Sequence, residues 1–271
     1  PDCCPYCGNP VVLRNQFEGA YRPDFVIPFK LDKQAAVRKY REHVKGKPLI
    51  PKIFRDKQHF EEIKGIYVPF WMFSADVDAR ARFLATQSRH WSDSEYDYTE
   101  TKYFSVYRHG EFEFEDVPAN ASEKMNTEMM ESIEPFDMSA AVDFRTAYLS
   151  GYLADKYTIG IDEAGIKANR RIRNTSEEQI RESITMYDSV TTQGLHMDLK
   201  DQRVKYGLLP VWLLVTTYQN EKYYFAMNGQ TGRFVGDLPT DKSAYRRYFL
   251  AIFVIVSIVV FVLTLVLKGL G

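Results

Sequence analysis

The sequence predicts an α+β chain in three parts. A partial zinc ribbon should occupy residues 1–20, a mixed α/β domain with antiparallel β-meanders residues 21–240, and one transmembrane helix residues 245–268. Three observations predict this. Cys4-x-x-Cys7 runs into Gly8-Asn9-Pro10. Aromatic-rich alternating runs are interleaved with two stretches of helical periodicity. Phe249 to Leu267 carries no charged side chain.

Composition sets the outer bounds. A chain of 271 residues with net charge −1 and 26% charged residues is an ordinary folded protein, with no acidic or basic tail. The balance hides an asymmetry: Arg14, Arg38, Lys39, Arg41, Lys45, Lys47, Lys52 and Arg55 make the start basic, while Glu111, Glu113, Glu115 and Asp116 make the middle acidic. Cys3, Cys4 and Cys7 are the only cysteines. So close a trio cannot build a disulfide framework, which points to the reducing cytoplasm.

The ribbon comes first. Two thiolates at C-x-x-C spacing converge on one metal, and Gly8 lets backbone amides approach the second sulfur. Cys4 and Cys7 are the candidate zinc ligands. Structural zinc needs four ligands, so the expectation is that the other pair lies upstream of Pro1. A redox pair is the competing reading, but Val11-Val12-Leu13 continues as a strand where a thioredoxin-like motif would open a helix.

The body follows. After an extended connector from Tyr21 to Phe29, Asp32 should cap a helix over residues 33–45, with Ala36, Tyr40 and Val44 on one face and Gly46 as its stop. Lys47 to Phe54 reads as loop or short strand. Gly65 opens a strand through Phe73 to Asp78. Lys102–Arg108 and Glu111–Val117 flank His109-Gly110, which reads as a tight hairpin. In its second arm Phe112 and Phe114 should face the core and the glutamates water. Ser122 should cap a short helix whose Met125 and Met129 are core filler. Asp162 opens the longest soluble helix, with Ile161, Ala164, Ala168, Ile172, Ser176, Ile180 and Ile184 as its buried stripe and Lys167, Arg170, Arg171 and Arg173 turned elsewhere. Finally, Pro69-x-Trp71-Met72 is echoed by Pro210-x-Trp212-Leu213, which suggests a duplicated β unit. The second copy continues through turns at Gln219–Lys222 and Asn228–Gly232.

The C-terminal run exceeds the roughly 18 apolar residues needed to span a bilayer. Its Ser257 and Thr264 can bond back one turn. Lys242, Arg246 and Arg247 precede it, against Lys268 alone after it, which places the soluble part in the cytoplasm.

The motifs CPYCGNP from Cys4, VIPFK from Val26, GIYVPFWMF from Gly65, VPANAS from Val117, IEPFD from Ile133, LLPVWLL from Leu208 and AMNGQTGRFVGDLP from Ala226 resemble, in this order, the bacterial membrane proteins labelled TFIIB-type zinc-ribbon-containing. The resemblance spans essentially the whole chain. It implies a zinc ribbon, a mixed α/β domain, a C-terminal membrane segment and partnership with band-7 (flotillin-like) proteins in envelope-stress modules. It implies no catalytic activity. The family's upstream cysteine pair has no counterpart here.

Three functional classes then compete. No P-loop, G-x-G-x-x-G, H-E-x-x-H or G-x-S-x-G occurs, so an enzyme is not expected. Asp76-x-Asp78 could ligate a metal, though a solvent-facing strand explains it better. A membrane-tethered nucleic-acid binder would draw on the ribbon and the basic start, but the acidic middle opposes it. The preferred expectation is a single-pass protein of the bilayer whose cytoplasmic domain is an interaction subunit of a membrane complex.

Overall fold

The computed structural model describes residues 22–56 and 62–269. Cys3, Cys4 and Cys7, and the ribbon with them, lie outside the described residues. The body contains strands β1 (Phe25–Val26), β2 (Lys64–Ser92), β3 (Asp97–Asn120), β4 (Val142–Asp143), β5 (Leu153–Ala154), β6 (Ser189–Tyr218), β7 (Glu221–Asn228) and β8 (Phe234–Gly236). Its helices are α1 (Lys33–Val44), α2 (Thr127–Ser132), α3 (Ile161–Glu182) and α4 (Lys242–Gly269). One mixed sheet runs β3-β2-β6-β1-β4, with β5 on β2 and β7 and β8 continuing from β6.

Local chemistry sets several boundaries. Asp32 caps α1 by accepting from the Ala35 amide at 2.8 Å, and Gly46 beyond its end takes a φ of +74° that suits glycine. Ala36, Tyr40 and Val44 are buried, as their spacing predicts. The segment expected as loop or short strand contains a 3-10 turn, Lys52–Arg55, which buries Phe54. Asn126, and not Ser122, caps the short helix, accepting from Met129 N at 2.8 Å. Ser122 instead donates its hydroxyl to Asp155. Met125 and Met129 are core filler as expected, packed in the cluster that holds Phe70 and Met72.

The expected His109-Gly110 hairpin is absent. β3 runs straight through both residues, pairing His109 with Arg80 and Gly110 with Ala79. The chain reverses earlier, where Ser92 faces Asp97 and Asp93 Oδ1 accepts from the amides of Glu95 and Tyr96, each at 2.8 Å. Gly110 has another task. A Cβ there would stand 2.8 Å from the Phe112 ring, so the glycine makes room for an aromatic. Phe112 and Phe114 do turn inward, beneath α3 with Ile172 and Ile180.

β2 and β6 form the spine, antiparallel from Lys64 opposite Leu213 to Thr86 opposite Ser189. The two Pro-x-Trp stretches lie side by side in it, Tyr67 opposite Pro210 and Pro69 opposite Leu208. The likeness reaches further than the motif. β1 pairs in parallel with Gly207-Leu208, and β5 with Ile66-Tyr67. A helix follows each short strand at the same spacing, α1 after β1 and α3 after β5. Trp212 Nε1 donates to Leu31 O just before α1, at 3.0 Å. Trp71 Nε1 donates to Ile159 O just before α3, at 2.9 Å. Gly229 O accepts from Lys30 and Leu31, and Ala121 O from Thr158 and Ile159. The duplicated unit is therefore strand–helix–two strands, and each copy lends its short strand to the other's long one.

Above Ser74 the sheet changes character. Register shifts occur on both sides of β2, between Phe73 and Ala75 toward β3 and between Ser74 and Asp76 toward β6. Asp116 and Asp201, on the flanking strands, take φ of 51° and 48°. Paired bulges bend and twist the ribbon here. Below them β2 is buried on both faces; above them, among the described residues, three strands continue alone, covered on one face by α3.

α4 is different in kind. It is long and apolar enough to cross a bilayer, and none of its apolar window is buried. Ser257 Oγ donates to Phe253 O at 2.8 Å, so its hydroxyl is satisfied within the helix.

Candidate functional site

Beyond the bulges, β3, β2 and β6 form an arm. The face under α3 carries Val77, Ala79, Ala81, Phe83 and Ala85. The alternate residues therefore form an open face, and register arranges them in rows. Asp78 stands between Glu111 and Asp198; Arg80 between His109 and His196; Arg82 between Tyr107 and Gly194.

The first two rows pair their charges in two groups, one centred on Asp78 and one on Asp198. Asp78 receives His109 Nε2 at 2.9 Å and Arg80 at 3.1 Å, with Lys200 at 3.9 Å. His196 Nε2 lies 3.3 Å from Asp198. Partial desolvation pushes the Asp78 carboxyl up, but the bonds and charges of Arg80 and His109 outweigh it and hold the group below the usual range. The ligand atoms of Asp78, His109 and Glu111 lie within 4.8 Å of one another, so these three could supply two oxygens and a nitrogen to a divalent cation. Such an ion would have to displace Arg80 and Lys200 from Asp78.

The tip of the arm is aromatic. Trp91 stacks on Tyr98 at 5.5 Å and 11°, with the Arg89 guanidinium 5.7 Å from the Trp91 ring. Asp93 fixes the turn, accepting Tyr98 Oη at 2.9 Å besides the two amides. Those amides and that hydroxyl lower its carboxyl below the usual range. Tyr96, Tyr103 and Tyr107 are each about two-thirds exposed. Exposed Trp, Tyr and Arg on rigid strands are the side chains that anchor protein interfaces.

The sites expected from sequence fare unequally. Cys4 and Cys7 lie outside the described residues. Asp78 lies on the strand face turned away from α3, but its side chain is only 14% exposed, covered by Arg80 and by His109 and Lys200 from segments far along the chain. The basic cluster of α3 is dispersed. Arg171 grips Glu134, at 2.6 Å and 3.1 Å, and donates to Pro118 O at 2.7 Å, while Arg173 bonds Leu195 O. Sequence reasoning missed the His109–Arg80–His196 row, because it requires the register of three strands.

Fold and surface define an α+β domain with a projecting arm and one uncovered apolar helix. The chain is 34% identical over 238 residues to a protein of Bacillus subtilis (strain 168) described as "Uncharacterized protein YdjG", covering 88% of this chain and 70% of that relative. It belongs to that protein's family. No protein-family model matches it, and no solved structure does.

Proposed function

We propose that the protein is a single-pass membrane protein whose domain, on the cytoplasmic side, serves as an interaction subunit of a membrane complex. One observation carries the reading. α4 presents an apolar surface on every side, and the domain covers none of its apolar window. Phe249, Phe253 and Phe261 are each about 60% exposed, which water would penalise by about 25 cal/mol for every Å² of apolar surface. A bilayer removes that cost. Lys242, Arg246 and Arg247 at the start of the helix favour the cytoplasmic side for the domain.

The arm supplies the interaction surface, with Trp91, Tyr98 and Arg89 at its tip. A band-7-like protein is the partner proposed for it. Zinc held by Cys4 and Cys7 with further ligands belongs to the same proposal. The test has two parts. Vesicles carrying the full chain are washed with alkaline carbonate, and the protein is then purified from intact membranes at native expression. We expect retention in the pellet and one recurrent membrane partner. Release into the supernatant would sink the anchor, and recovery of the protein alone would sink the assembly role.

A further inference from the structure

Two basic groups lie far apart in the sequence: Arg41, Lys45, Lys47 and Arg55 near the start, and Lys242, Arg246 and Arg247 before the apolar run. The fold brings their two segments together. Asp241 N donates to Leu49 O at 2.7 Å, and Ala244 in the first turn of α4 is buried against the domain. Tyr248 then lines an open cleft of about 710 Å³ with Arg41, Lys45, Lys47 and Arg55, together with Val44 and Pro48.

The cations arrive by three routes. Arg41 lies in the last turn of α1 and Lys45 is its C-cap, where a helix's carbonyl end favours positive charge. Lys47 follows the Gly46 turn, its Nζ 3.4 Å from His43 Nε2. Arg55 comes from the 3-10 turn and donates to Lys47 O, which ties the two walls together. Burial and the Lys47 charge lower the His43 imidazole below its usual value, so at neutral pH it adds no charge of its own. Among the described residues lining the cleft there is no carboxylate. Helix-end stabilisation accounts for two of the four cations. It does not account for Lys47 and Arg55 meeting them, nor for a tyrosine of α4 forming part of the wall.

That tyrosine sets the level of the cleft. Tyr245 and Tyr248 stand at the start of the apolar run, the depth at which aromatic residues mark a membrane interface. A cleft at that depth faces headgroups. Guanidinium and ammonium groups are the usual partners of phosphate oxygens, Arg through paired N–H bonds and Lys as a point charge. We propose that this cleft binds the phosphate of an anionic phospholipid headgroup in the leaflet beside the domain, with the acyl chains lying along α4. The proposal rests on α4 crossing the bilayer.

Native mass spectrometry of the full chain in detergent micelles tests it. The micelles are supplied with phosphatidylglycerol or with phosphatidylcholine of the same acyl chains. One variant combines Lys45→Gln, Lys47→Gln and Arg55→Gln. A control removes three exposed cations elsewhere, Lys156→Gln, Arg170→Gln and Lys222→Gln. Wild type and control should retain phosphatidylglycerol in preference to phosphatidylcholine. At about fivefold per cation near an anionic surface, the cleft variant should lose that preference on the order of 100-fold. Raising salt should weaken the wild-type preference in the same direction, a measurement that needs no variant. Equal retention of both lipids by wild type, or equal loss in cleft and control variants, would overturn the proposal. Displacement of the lipid by equimolar inorganic phosphate would overturn it too, making the cleft a site for free phosphate. Carbonate washing separates the two readings: a chain that stays in the membrane yet shows no lipid preference fails here alone.

Discussion

Asp155 is 4% exposed, yet its carboxylate takes Ser122 Oγ at 2.7 Å and Lys124 Nζ at 2.7 Å. Asp155 N in turn donates to Tyr67 O, joining the network to the spine. Removing one member of a buried pair strands the other, so Asp155→Ala should destabilise the full chain in detergent by about 2–4 kcal/mol in denaturant unfolding. The figure lies below that for an enclosed pair because a third of the Lys124 side chain meets solvent. Asp155→Asn, which keeps an acceptor for Ser122, should cost less. At this scale the sequence was legible where a residue's task is local. Asp32 announced its cap and Gly46 its turn. Ser122 misled because its hydroxyl answers an aspartate more than thirty residues away. Gly110 misled because the ring it accommodates belongs to its own strand.

Elements were legible when their periodicity matched one buried face. α1 and α3 follow their apolar spacing, and the alternation of Phe112 and Phe114 follows the pleat. The two-residue strands β1 and β5 left no such trace, since their pairing is decided wholly by the strands beside them. The bulges were equally silent. Asp201 is exposed and takes φ of 48°, a conformation that costs a β-branched residue about 1–2 kcal/mol. Asp201→Val should therefore lower stability by that amount, whereas Asp201→Gly should be neutral or slightly stabilising. Thermal unfolding of both variants checks this. Equal effects would show that the left-handed bulge does not set the bend of the arm.

At the scale of the molecule, the duplication organises everything else. One copy's helix, α3, covers the arm; the other's, α1, lines a cleft together with Tyr248 of α4. Trp71 and Trp212 hold equivalent places, each indole bonded to the carbonyl that precedes a helix. Trp71→Phe and Trp212→Phe should each cost about 1–3 kcal/mol through lost packing and one hydrogen bond. The two sites lie six residues apart along paired strands, ~20 Å by strand rise, so the double variant should be additive within about 0.5 kcal/mol. A large coupling in denaturant unfolding would mean that the copies fold as one indivisible core. The candidate surfaces also belong to this scale. No spacing in the sequence foretold that His109 and His196 would flank Arg80, or that Arg55 and Tyr248 would line one cleft.

By itself the sequence determined the α+β class, helix α1 with its Asp32 cap, the apolar stripe of α3, the Pro-x-Trp echo and a terminal helix greasy enough for a bilayer. Each of these reports on a residue's near neighbours or on its own transfer from water. Only the tertiary structure decided where the long hairpin turns, how far the repeat extends and which charges share a surface. Strand register and the docking of one helix against another are set by contacts between segments that are remote in the chain, and short-range patterns carry no record of them.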